Sequence, residues 1–136
     1  MSKPILVLDF DGVLHSYVSG WVEHDFIPDP PVPGAMQFLY EAQKHFTVKI
    51  YSSRSSSNTG IRAMITWINY WSEKELPNEA PDYVCNAVKN AYCHNKDAWP
   101  QEKPAAFLTI DDRAITFTGK WPDVEELLTF KPWNKK

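Results

Sequence analysis

The chain has 136 residues, enough for one domain with a real core, and a net charge of −3 without any lysine or arginine run. That balance argues against a protein that coats nucleic acid or lies on a membrane surface, though it says nothing against a focused site. No apolar run approaches the ~20 residues of a membrane span and the start lacks an export-signal pattern, so the cytoplasm is the expected compartment.

In chain order, "ILVLDFDGVLHS" comes first. Ile5 to Leu8 are continuously apolar, as in a short strand buried on both faces, which places Asp9 and Asp11 at its carboxyl end. Open α/β sheets bind ligands at that edge. Two carboxylates about 5 Å apart at an effective dielectric near 20 repel by roughly 3 kcal/mol, so a shared proton or a hard cation such as Mg²⁺ must offset them. Gly12 favours the cation, because a residue without a side chain lets the backbone turn away and leaves room for a ligand.

The next stretch, about residues 13–33, has Gly20 between two polar and aromatic arms and a proline-rich exit, and reads as a hairpin flap inserted in the single domain 1–136. His15, Tyr17, Trp21 and His24 are its candidates for touching a substrate beyond the reacting group, against the plainer reading of flap packing. Ala35 to Phe46 predict a helix with Ala35, Phe38, Leu39, Ala42 and Phe46 on one stripe, after Pro33 and Gly34. "FTVKIYSS" predicts a strand that brings Ser52 into register after Val48 and Ile50.

"SRSSSNTG" supplies several N-caps for a helix running to Leu76, which Pro77 and Asn78 stop. Trp67 and Trp71 join Ile61, Met64, Ile65 and Ile68 on that helix as core residues. Tyr83 to Val88 read as a third strand. Cys85 and Cys93, with seven residues between them and no second pair, support neither a disulfide framework nor a four-ligand zinc site and read as small packed thiols. "AFLTIDDR" is a second buried strand ending in acids, "AITFTG" a further strand, and "WPDVEELL" a short helix. Alternating strands and helices imply an α/β fold, a three-layer Rossmann-like, mainly parallel sheet with no large cap domain.

Three strand ends then converge on one edge: Asp9 and Asp11, Ser52 with Arg54, and Asp111 with Asp112. In this order "LDFDG", "IYSSR", "EKP" and "TIDDR" resemble the four motifs of the haloacid dehalogenase superfamily of phosphohydrolases, over about residues 4–130. "IDDRAITFTG" is most similar to the short, capless members of bacteria and phages, and "IDDR" also to the phosphatase domain of polynucleotide kinase-phosphatases.

The resemblance implies Mg²⁺ and a covalent aspartyl-phosphate. It makes Asp9 the nucleophile, a carboxylate already ionised at neutral pH, and Asp11 the residue that protonates the leaving oxygen and then activates water. Mg²⁺ would be held by Asp9, the Asp11 backbone carbonyl and Asp112, with Asp111 behind it or paired to a lysine. Ser52, or Ser53 if the strand slips by one, would donate to a phosphoryl oxygen, the plain alternative being an N-cap. Arg54 would reach phosphate or pair with a surface acid. The family lysine falls on Lys103, yet eight extended residues before Asp111 span roughly 26 Å, so Lys89 and Lys96 stand as alternatives.

The expected activity is a Mg²⁺-dependent phosphatase acting on a phosphorylated small molecule or the phosphorylated end of a macromolecule, a nucleic-acid end included. Neither a membrane nor stably bound nucleic acid is expected as a partner, and self-association is left open. A dehalogenase has no need of Asp11. A catalytically silent binding module, the reading from another class, should have lost one of the acids, and all are present.

Overall fold

The computed structural model describes residues 2–76 and 80–134. It is an α/β structure around a parallel three-stranded sheet in the order β2-β1-β3, with β1 (Ile5–Leu8) central, β2 (Thr47–Ile50) on one side and β3 (Leu108–Ile110) on the other. The registers align Leu8 with both Ile50 and Ile110, and the Asp9 N–H donates to the Ile110 carbonyl at 3.0 Å. Asp9 therefore leaves the sheet level with Asp111, as three parallel strand ends require.

Helix α1 (Ala35–His45) and helix α2 (Asn58–Lys74) form where their patterns predict. The buried face of α1 is Ala35, Met36, Leu39 and Ala42, so Met36 takes the core place expected of Phe38, which instead lines an open groove of about 220 Å³ with Leu8, Leu14 and Ile110. Met64, Trp67 and Ile68 of α2 close the core over Leu6, Leu8, Phe10, Val48 and Ile50. The Ser57 hydroxyl caps α2 by accepting from the Gly60 N–H at 3.0 Å. Pro77 and Asn78, the expected helix stop, lie outside the described residues.

The expected third strand is instead helix α3 (Asp82–Val88), continued by a π-helical turn over Lys89–Cys93. Val84, Val88 and Tyr92 recur every four residues, the helical spacing, and all three are buried. The Tyr92 hydroxyl donates to the Leu39 carbonyl of α1 at 2.8 Å and fastens the segment to that helix. Cys85 and Cys93 are free and half-buried.

β3 is a second correction: it is an edge, with Leu108 51% and Ile110 37% exposed, not a strand buried on both faces. Residues 114–119 alternate like a strand, but none of the described residues pairs with them and they stay irregular, since an isolated strand leaves its backbone groups unmatched. The helix expected in "WPDVEELL" is reduced to a 3₁₀ turn at Glu126–Thr129. The flap is hairpin-like only at its base, where His15 bridges Pro31 and the Ser16 N–H meets the Pro30 carbonyl at 3.0 Å. No helix among the described residues is long and apolar enough to cross a membrane.

Candidate active site at the carboxyl edge of the sheet

The chain turns sharply after β1, with Gly12 at φ +83°, and Asp112 occupies the space this leaves: a Cβ on Gly12 would lie 2.1 Å from Asp112 Oδ2. Asp9, Asp111 and Asp112 each offer a carboxylate oxygen within 4.8 Å of the others. The Asp112 side chain is almost wholly buried, 1% exposed, and neither of its oxygens has a hydrogen-bond partner among the described residues. Burying a carboxylate beside two others is costly, and either a proton on Asp9 shared with Asp112 or a hard cation would offset it. The Asp111 carboxylate accepts from the Arg113 N–H at 2.8 Å, which folds the turn after β3.

Burial pushes the Asp9 carboxyl up to about 8, with the Asp111 and Asp112 carboxylates adding to the rise against the lowering effect of the Phe10 N–H. A metal-free Asp9 thus keeps its proton at neutral pH. The neighbouring acids that raise the Asp9 carboxyl are the same ones that would line a cation site.

Asp11 belongs to a different network. Its Oδ1 accepts from His15 Nδ1 at 2.9 Å, and Arg54 Nε donates to both oxygens, at 3.2 and 2.9 Å. His15 is fully buried, and its Nε2 accepts from the Asp29 N–H at 3.1 Å, so Nδ1 carries the hydrogen given to Asp11. Burial would raise the Asp29 carboxyl, but the Ser19 hydroxyl and N–H, with His15 nearby, hold it below the ordinary carboxylate range. Tyr17 packs edge-on against His15 and, among the described residues, is the one non-glycine with positive φ, 61°.

Ser52 follows β2 as predicted and is buried, and it is also a cap: its Oγ accepts from the Arg54 N–H at 2.9 Å while Ser55 Oγ accepts from the Ser52 N–H at 3.0 Å. The two readings are compatible, because an oxygen that accepts still has its own O–H to give. Ser53 is exposed at the start of the 3₁₀ turn Ser53–Ser56. Arg54 is fully buried, pairs with Asp11 rather than a surface acid, and sends Nη1 into the flap.

None of the three lysines contacts the acids. Lys89 pairs with Glu73 of α2, and Lys96 and Lys103 are exposed. Among the described residues the cation that pairs with Asp112 is Arg113, 4.0 Å away, to which the sequence reading gave no role although it stands in the quoted "IDDR". The ties of His15, Asp29 and Trp133 were also missed: the Trp133 indole donates to the Gly12 carbonyl at 2.7 Å from the far end of the chain, a contact without local signal.

Comparison with family models, curated proteins and solved structures found no match to this chain.

Proposed function

We propose that the chain is a Mg²⁺-dependent phosphomonoester hydrolase of the haloacid dehalogenase type, with a capless Rossmann-like fold and an aspartyl-phosphate intermediate. The observation that carries the reading is the convergence of the Asp9, Asp111 and Asp112 carboxylates, with the Asp112 side chain almost wholly buried, at the end of a parallel sheet. Asp9, Asp112 and the Asp11 carbonyl would hold the cation, with Asp111 beside them. When bound, Mg²⁺ supplies positive charge that ionises Asp9 and lowers the repulsion between carboxylate and phosphate.

An Asp9 oxygen attacks phosphorus, the ester P–O bond breaks, and the leaving oxygen takes the proton of Asp11 in its acid form, a proton loaded from solvent because Arg54 and His15 only add donors to the carboxylate. Water then attacks the aspartyl-phosphate, returning a proton to Asp11 and freeing Asp9. The Ser52 O–H is available to a phosphoryl oxygen. The test is phosphate release, with Mg²⁺ or with EDTA, from small monoesters and from 5′- and 3′-phosphorylated oligonucleotides. Turnover that needs Mg²⁺ supports the reading. No turnover on any substrate favours a silent binding module.

A further inference from the structure

We propose that Arg54 is the joint through which the flap positions Asp11, and so acts as a positioning residue rather than a ligand for phosphate. What Asp11 does rests on the phosphatase reading; the attachment of the flap does not. A buried guanidinium must have its N–H groups met, and here one edge and one corner are. The edge at Nε holds both Asp11 oxygens. At the corner, Nη1 donates to the carbonyls of Glu23, His24 and Phe26 at 2.8, 2.9 and 3.2 Å. Three acceptors from four consecutive residues share two N–H groups, so this part of the flap is wrapped around the cation.

Trp21 closes over it, its ring centre 4.7 Å from the guanidinium carbon. The remaining nitrogen, Nη2, is buried and has no partner among the described residues, so a phosphate ligand would have to use that group alone. A second tether runs from Asp11 through His15 to Asp29 and then Ser19, so the acid is tied to the flap on both sides. The backbone of Arg54 is itself pinned: a Cβ on Gly60 would fall 2.1 Å from the Arg54 carbonyl oxygen. The flap is therefore a fixed wall whose position and that of Asp11 are one variable. Disturbing it should appear in the step that needs the leaving-group proton.

Hydrogen exchange of the flap amides that are bonded, Ser19 to Asp29 and Phe26 to the Glu23 carbonyl, measures the attachment without any substrate. In Arg54→Lys, a point charge that cannot span both sides, exchange there should rise by about ten-fold or more while β1 and α2 stay protected. The same variant should lose kcat on alkyl phosphates by about 10²-fold and less on aryl phosphates, with KM nearly unchanged. Trp21→Leu, which leaves Arg54 in place, should loosen the same amides to a smaller degree and decides the matter if Arg54→Lys does not fold.

Unchanged flap exchange in the folded variants would overturn the proposal. So would a rise in KM for every ester together with weaker inhibition by inorganic phosphate at constant kcat, the signature of a direct phosphate ligand. Absence of hydrolysis by the unaltered chain would remove the phosphatase reading alone, and the exchange result would still decide whether Arg54 fastens the flap.

Discussion

On the proposed phosphatase reading Asp9 would meet two opposed requirements, burial among acids to hold a cation and ionisation to attack phosphorus, and the conflict should be visible as a pH-dependent stability. The folded carboxyl keeps its proton up to about pH 8, whereas the unfolded chain releases it near 3.8, so between these values the folded state binds more protons. The Asp9 contribution is fully present below 3.8 and is lost as pH rises through the window. In EDTA, the melting temperature of the natural chain should fall relative to that of Asp9→Asn between pH 5 and 8, and Mg²⁺ should restore more at pH 8 than at pH 5. Parallel pH curves for the two proteins in EDTA would show that Asp9 is not held protonated.

Gly12 tests the same cluster from the backbone. Alanine there adds strain of about 1–3 kcal/mol from the positive φ and pushes a Cβ into Asp112. Gly12→Ala should therefore lower the melting temperature and also abolish the shift produced by Mg²⁺, measured by calorimetry. A lower melting temperature with the Mg²⁺ shift intact would separate the turn from the metal site.

At the scale of elements, α2 does more than fill the core, because its first turn sets the loop that carries Ser52 and Arg54. In an ordinary helix Gly→Ala gains up to about 1 kcal/mol. Gly60→Ala should have the opposite sign, since the atom it meets is the Arg54 backbone carbonyl and not a flexible side-chain tip. A lower urea midpoint, with increased exchange of the flap amides, is expected. A gain in stability would show that the loop yields easily and that the contact does not set Arg54. Ser57→Ala, which removes the cap but no packing, should cost about 1 kcal/mol in the same titration and leave the flap protected.

Across the whole molecule, stability is concentrated in the first hundred residues. Beyond Asp112, Pro132 alone is buried among the described residues, while Trp121 and Leu128 are almost fully exposed. What the tail contributes is the Trp133 bond to Gly12 and the Asn134 side-chain bond to the Ser16 carbonyl, at 2.7 and 3.1 Å. Truncation after Lys120 should cost about 1 kcal/mol for each lost bond and leave the urea m-value nearly unchanged, because little apolar surface is newly exposed. A large fall in the m-value would mean that the tail is part of the core.

What the sequence determined by itself was local and periodic. The apolar run before Asp9, the stripes of α1 and α2, and the acids after Ile110 follow from patterns of a few residues, and so does the parallel edge where Asp9 and Asp111 leave the sheet. The segment Tyr83 to Val88 misled because the four-residue recurrence of Val84, Val88 and Tyr92 is complete only at a residue beyond it. Which charges meet was decided only in three dimensions. Arg54 and Asp11 are 43 residues apart, Trp133 and Gly12 are 121 apart, and no local pattern specifies such pairs. Ser52 was legible because strand register fixes where a hydroxyl emerges. The partner of Arg54 was not, because a long side chain takes the acid that burial leaves beside it, and burial is a property of the folded chain.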